Sequence, residues 1–285
     1  MPEGHTLHRL AGDLREAFAG RVVRVSSPQG RFATEAAGLD GAVLCGAEAW
    51  GKHLFLDLGA DRFVHVHLGL YGTFVLGAAA APEQVPAPVG QVRLRLVAGR
   101  EDGGATWADL RGATACELVT GQGVRAVADR LGPDPLRADA DPDRGWARIG
   151  RSRAPLAALL MDQKVLAGVG NVYRAEVLFR HRLDPYRPGE SLRRRRYDEV
   201  WADLVDLMRE GVRTGRIDTV RPEHTPEAMG RAPRVDDHGG EVYVYRRHGR
   251  PCLVCGAPVR RAELAQRNLY WCGRCQRRHV PRGVQ

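Results

Sequence analysis

Asp162-Gln-Lys-Val-Leu-Ala-Gly-Val-Gly-Asn171-Val-Tyr-Arg174 has the form of two helices joined by a glycine-hinged turn. The spacing predicts one helix over 154–165, a second over 171–181, and a connection from Leu166 to Gly170. Asn171 opens the second helix. Such a turn aims backbone N–H groups and one side-chain amide at a single anion, which suits a phosphate. The same asparagine also serves as an ordinary N-cap worth about 1 kcal/mol, and the two readings are compatible. Lys164, inside the first predicted helix, reads as a structural residue or a phosphate contact.

Toward the C-terminus, Ser191 to Gly211 is predicted as a longer helix burying Val200, Trp201, Leu204, Leu207 and Met208. Its Arg193 to Arg196 run reads as a solvated first turn, with a phosphate contact the lesser alternative. Asp218 to Gly240, with three prolines and three glycines, is expected to be a long loop. Beyond it stands Cys252-x2-Cys255-x16-Cys272-x2-Cys275. Each Cys-x-x-Cys forms a knuckle, and two knuckles make a tetrahedral site for one structural zinc. Two disulfides or a redox pair are the alternatives, and the absence of an export signal disfavours them. Zinc binding contributes on the order of 10 kcal/mol to folding a segment too small for a core of its own. Cys45 and Cys116 lie apart in apolar runs and read as buried small hydrophobes.

Toward the N-terminus the pattern differs. Pro2 to about Gly20 reads as an amphipathic helix with Leu7, Leu10, Ala11, Leu14 and Phe18 on one face. From Arg21 to about Thr120, short alternating runs are separated by glycines. The clearest is Gln91-Val-Arg-Leu-Arg-Leu-Val, with Val92, Leu94 and Leu96 inward and Arg93 and Arg95 outward. Many short, closely spaced strands predict an antiparallel β-sandwich or barrel, with Ala78 to Gly90 as a loop. Leu131-Gly-Pro-Asp-Pro-Leu and the acidic Asp139 to Asp143 stretch break all periodicity and place a boundary near 132–150. The expectation is an α+β multidomain chain with a β-sandwich domain over 1–132, a helical domain over 133–240 and a zinc finger over 241–285.

Composition limits the function classes. A 285-residue chain that is 44% hydrophobic can bury a core, which argues against disorder. Charge is uneven: residues 1–150 carry 16 basic and 18 acidic side chains, and residues 151–285 carry 27 and 16. A basic C-terminal half points to a polyanion, most simply nucleic acid. Glu3, Arg9, Asp13 and Glu16 interrupt any signal peptide. The uncharged stretch Phe63 to Pro82 alternates like a strand, so it is not read as a membrane span. The expected location is the cytoplasm, on DNA, without secretion or a membrane partner.

Pro2-Glu3 carries the first chemical clue. Initiator methionine ahead of proline is usually removed, which leaves a secondary amine. An α-amine titrates near 7.7–8.0 against about 10.4 for lysine, so far more of it is a free nucleophile at neutral pH. Attack on a sugar C1′ gives an iminium directly, an electron sink through which a 3′ phosphate leaves by elimination. Glu3 is placed to act as general acid on the ring oxygen or the leaving base when burial keeps it protonated. A helix-dipole role is the plain alternative for Glu3. Lys52 is the second clue. The chain has 41 arginines and two lysines, and only lysine both donates and accepts a proton. It follows Gly51 at the start of a strand; an ordinary surface charge is its plain reading.

Met1-Pro-Glu-Gly, Gly51-Lys-His-Leu-Phe, the helix–two-turn–helix over Leu160 to Arg174 and the four-cysteine hairpin occur in one order. Together they resemble the formamidopyrimidine-DNA glycosylase / endonuclease VIII family from residue 2 to about 277. The resemblance implies that Pro2 is the Schiff-base nucleophile and Glu3 the acid for base release and sugar opening. It implies that Lys52 contacts DNA and serves the lyase steps, and that Asn171 binds phosphate. Arg267, in Gln266-Arg-Asn-Leu-Tyr-Trp-Cys272, matches the finger arginine that grips phosphates flanking the lesion and assists the second elimination. Arg130, just before Leu131, matches a further DNA-contacting arginine.

Pro2-Glu-Gly resembles the endonuclease VIII branch, which favours oxidised pyrimidines; oxidised purines are the alternative substrate. Leu70 and Tyr71 align with residues that wedge into the duplex where the damaged nucleotide leaves, and apolar and aromatic groups replace lost stacking. Gly69 departs from the polar wedge residue of that branch. Arg111 is the candidate to face the orphaned base instead. The expected activity is that of a monomeric bifunctional glycosylase/AP lyase acting on damaged duplex DNA by β,δ-elimination. Two rivals are a non-catalytic damage-binding zinc-finger protein and a metal-pair nuclease, whose cleavage would vanish in EDTA.

Overall fold

The computed structural model describes residues 2–235 and 240–280. It divides into two compact units, Met1–Arg130 and Leu131–Gln285. The first begins with α1 (Gly4–Phe18), which buries Leu7, Ala11, Leu14 and Phe18, the face its periodicity dictates. Eight strands follow: β1 (Arg24–Ser26), β2 (Gly46–Trp50), β3 (His53–Asp57), β4 (Phe63–His67), β5 (Thr73–Ala79), β6 (Val92–Gly99), β7 (Ala105–Arg111) and β8 (Ala115–Val119). They form two four-stranded antiparallel sheets, ordered β1-β6-β7-β5 and β2-β3-β4-β8. Leu54, Leu56, Val64 and Val66 of one sheet share a core with Leu94, Leu96, Ala108 and Leu110 of the other, so the sheets make a sandwich.

Three expectations in this unit need correction. Arg95 faces away from the sandwich core as alternation requires, yet it is buried. Asp109 lies 3.5 Å from its Nε, the Trp107 ring lies under its guanidinium, and Nη2 donates to Pro86 O of the covering loop. Cys116 is buried as expected, with its thiol pushed up to about 12 by burial, but Cys45 is exposed. Two short helices, α2 (Ala33–Leu39) and α3 (Gly121–Ala128), went unforeseen because seven or eight residues carry too little periodic signal.

The second unit holds α4 (Pro142–Ile149), α5 (Leu156–Leu159), α6 (Asn171–Arg180), α7 (Arg194–Thr214), α8 (Pro226–Met229) and the hairpin β9 (Arg260–Leu264) with β10 (Arg267–Trp271). α4 occupies part of the stretch read as irregular: Asp141 caps it by accepting from Asp143 N–H at 2.9 Å, and Pro142 sits in its first turn. The predicted helix over 154–165 shrinks to the single turn of α5, because Asp162 folds the chain back. Its carbonyl accepts from Val165 and Leu166 N–H and its carboxylate from Lys164 N–H. α7 starts three residues later than expected and ends at Gly215 in the left-handed region. The 218–240 loop contains a short 3-10 turn and α8, and its positions 236–239 lie outside the described residues. One core joins Val172, Val177 and Leu204 of the helices to Val259, Leu269 and Cys272 of the hairpin. No helix among the described residues is long and apolar enough to cross a membrane.

Candidate functional site

Pro2 is half-buried ahead of α1, and Glu3, in the extended cap position, is fully buried. Glu3 O accepts from Thr6 N–H at 2.9 Å, which starts the helix. Two residues on, burial, the charge of the amino terminus and His8 push buried His5 down to about 4. α1 packs against β2 and β3, and half-buried Lys52 sits in the turn that joins those strands. Lys52 and the exposed Arg130 both lie within electrostatic reach of His53. The first unit thus gathers the N-terminal residues and Lys52 on one layer of α1, β2 and β3.

Beside Lys52 lies a chain of imidazoles that the sequence reading missed. His53 Nδ1 and His65 Nε2 are 2.8 Å apart, and His65 Nδ1 lies 2.8 Å from Glu117 Oε1. The Glu117 carboxylate accepts from His65 Nδ1–H, and one proton is shared between His65 Nε2 and His53 Nδ1. Burial and then the neighbouring His65, His67, Arg130 and Lys52 drive His53 down to about 3, so it is neutral. The signal was available: period two puts His65 and His67 on one face of β4, and His53 pairs with His67 in register.

Leu70 and Tyr71 project from the turn between β4 and β5, 43% and 85% exposed. Arg111 ends β7 opposite Thr73, the residue that starts β5. Its Nη2 lies 3.4 Å from buried Asp109, and its Nε has no hydrogen-bond partner among the described residues.

In the second unit the cap position of α6 falls to Gly170, and Asn171 is the first helical residue, which overturns the N-cap reading. Its amide instead donates to Asn268 O at 3.0 Å. Arg174, fully buried, donates to the same carbonyl at 3.2 Å, to Ala157 O at 3.2 Å and to Asn171 Oδ1. Asn268 adjoins exposed Arg267 at the start of β10, so the structure brings the candidate residues Asn171 and Arg267 together. Gln163 braces the turn ahead of α6: its amide donates to Met161 O and Val169 O and accepts from Gly168 N–H. Lys164 is exposed in this turn rather than helical.

The four cysteine sulfurs lie within 4.8 Å of one another, with Cys255–Cys272 at 3.5 Å and Cys252–Cys275 at 3.9 Å. Zinc–sulfur bonds of about 2.3 Å in a tetrahedron require edges of about 3.8 Å. The sulfurs fit one structural zinc, which serves to hold the hairpin.

Residues 1–116 match the formamidopyrimidine-DNA glycosylase N-terminal domain, 131–222 the formamidopyrimidine-DNA glycosylase H2TH domain, and 249–278 a zinc finger found in FPG and IleRS. The chain is 54% identical over 279 residues to Endonuclease 8 1 of Mycobacterium tuberculosis, covering 97% of this chain and all of that protein. It is 32% identical over 225 residues to the formamidopyrimidine-DNA glycosylase of Chloroflexus aurantiacus, covering 79% of this chain and 77% of that protein. The fold is similar to that of Lactococcus lactis Fpg in complex with abasic-site DNA, with a TM-score of 0.75 at 22% identity, covering 97% of this chain and 100% of that one.

Proposed function

The chain belongs to the formamidopyrimidine-DNA glycosylase / endonuclease VIII family, whose members are DNA N-glycosylases with AP lyase activity, and on that premise we propose how its own residues carry the two activities. It is a bifunctional glycosylase/AP lyase of base excision repair. The amine of Pro2 attacks C1′ of the damaged nucleotide and forms an iminium. Glu3 delivers a proton to the sugar ring oxygen or the departing base. Elimination through the iminium then releases the 3′ phosphate and afterwards the 5′ phosphate. Lys52 contacts DNA and serves proton transfer in these steps. Asn171 and Arg267 hold phosphates beside the lesion, Arg267 assists the second elimination, and Arg130 adds a further contact. Leu70 and Tyr71 wedge into the stack as the nucleotide leaves, and Arg111 faces the base left behind.

The observation that carries this reading is a fully buried Glu3 at the head of α1, directly behind Pro2. An ordinary helix-start glutamate would lie in water. Oxidised pyrimidines are the favoured substrates, supported by the Pro2-Glu-Gly start and by the identity to Endonuclease 8 1. The protein acts on damaged duplex DNA as a cytoplasmic monomer.

The test is trapping with borohydride on duplexes carrying thymine glycol, 8-oxoguanine or an abasic site, using protein shown by mass to start at Pro2. Wild type is expected to form a covalent adduct, fastest with thymine glycol, and Pro2→Gly none. Cleavage is expected to survive EDTA while the finger keeps its zinc. No adduct on any duplex would leave the damage-binding reading standing, and an 8-oxoguanine preference would move the substrate to purines.

A further inference from the structure

The turn bearing Leu70 and Tyr71 is anchored at its base. Gly69 N–H donates to His67 Nδ1 at 3.1 Å. Thr114 Oγ1 lies 3.2 Å from the same nitrogen and donates to His67 O at 3.2 Å, and Thr114 N–H donates to His67 O at 2.9 Å. Gly72 N–H closes the turn on Leu68 O at 2.9 Å. A backbone N–H aimed at Nδ1 requires a lone pair there, so the ring proton of His67 sits on Nε2 and the imidazole is neutral. Gly69 has no substitute in this arrangement: its φ is +68, and a Cβ would meet Thr114 Oγ1 at 2.2 Å. Thr114 fills the space a side chain at position 69 would need.

We propose that His67 is a positioning residue for strand separation: its neutral ring, through Nδ1, latches the Gly69–Tyr71 turn in the shape that presents Leu70 and Tyr71 to the duplex, and protonation releases it. The proposal rests on the wedge reading of Leu70 and Tyr71. The ring packs against His53 of β3 at 4.9 Å between centroids, with Lys52 in the adjoining turn and His65 on its own strand. Glu117 of β8, beside His65, is engaged by that ring. Burial first, then His65 and Lys52, hold His67 below the ordinary imidazole value, so the latch is closed at neutral pH and opens on acidification.

Two variants separate the ring nitrogens. His67→Asn places an amide oxygen where Nδ1 was and does not titrate; His67→Gln places one where Nε2 was. Two quantities are read: hydrogen exchange of the Gly69 amide without DNA, and the ratio of lesion excision in duplex to lyase cleavage of an abasic single strand. The second cancels titrations of the shared chemistry. His67→Asn is expected to keep the Gly69 protection and the ratio while losing the wild-type fall of the ratio at acid pH. His67→Gln is expected to lose the protection and about fivefold or more of the ratio, the worth of one hydrogen bond. Equal behaviour of the two variants, or a Gly69 amide indifferent to both, overturns the latch. Leu70→Ala and Tyr71→Ala examine the underlying reading separately: each is expected to lower the ratio without altering Gly69 exchange. An unchanged ratio in both removes the wedge, and with it the role given to His67.

Discussion

The two units bury polar groups by different means. Glu3 and the Arg95–Asp109 pair aside, the N-terminal unit withdraws imidazoles from water: buried His5 and half-buried His53 are pushed down to about 4 and about 3 and stay uncharged. Arg174 and Arg247 aside, the C-terminal unit withdraws carboxylates from water, Glu176 fully and Asp203 by half, and satisfies them with hydrogen bonds. Glu176, fully buried, accepts from Thr219 Oγ1 at 2.7 Å and from the N–H groups of Tyr243, Val244 and Tyr245 at 2.6 to 2.8 Å. Asp203 takes hydrogen bonds from His181 and from the Nε and Nη2 of Arg180, which outweigh burial and hold it at about 2.

The sharpest way to break this contrast is to remove the metal. Chelation, or Cys272→Ala, is expected to unfold the hairpin over 249–278, a loss on the order of 10 kcal/mol, and to leave the N-terminal sandwich folded. Hydrogen exchange resolved by peptide reads both units at once, and loss of protection in β2–β4 would contradict it. Next in size is Glu176→Ala, which orphans three backbone N–H groups. It is expected to cost about 4 kcal/mol in urea denaturation of the C-terminal unit, whereas Leu→Ala on the solvent-facing Leu118 should cost far less.

Acid destabilises the two units in different pH windows. A histidine whose folded pKa is depressed refuses a proton that the unfolded chain accepts, so its unit loses stability as pH falls below about 6.5. For His5 and His53 the loss continues down to about 4 and about 3. Asp203 is a depressed carboxylate, so its contribution is intact above about 3.9 and is lost only as pH falls through about 2. Exchange protection in the N-terminal unit is therefore expected to weaken between pH 6.5 and 4.5 while α6 and α7 hold; the reverse order would sink the comparison. The smallest effect is at the hairpin tip. Ala265 and Gln266 both have positive φ, 50 and 58, where Asn-Gly is preferred. Ala265→Asn with Gln266→Gly should stabilise β9–β10 by about 1 kcal/mol, seen as slower exchange at Tyr270.

What the sequence disclosed divides along the same line. Period-two and helical spacing found the sandwich, α1 and α7, and the cysteine spacing found the metal site, because each is a repeating local signal. Hidden were the features made by distant residues. Arg95 alternates outward as read, and only the returning loop at Pro86 buries it. Asp162 shortens α5 by accepting from amides that follow it, which helical periodicity does not register. Asn171 looked like a cap because its type fits one, whereas its partner, Asn268, lies 97 positions away. The His53–His65–Glu117 chain needed the register of three strands before it could be seen.

The carbonyl of Asn268 has a consequence for anyone wishing to transplant parts. Asn171 and Arg174 both grasp it, one residue from Arg267. The finger is therefore no cassette. A hairpin exchanged for that of a relative would carry its own backbone to this junction, and its arginine would be aimed by two residues left behind in the host. Chimeras should be cut so that α6 and β10 travel as a pair.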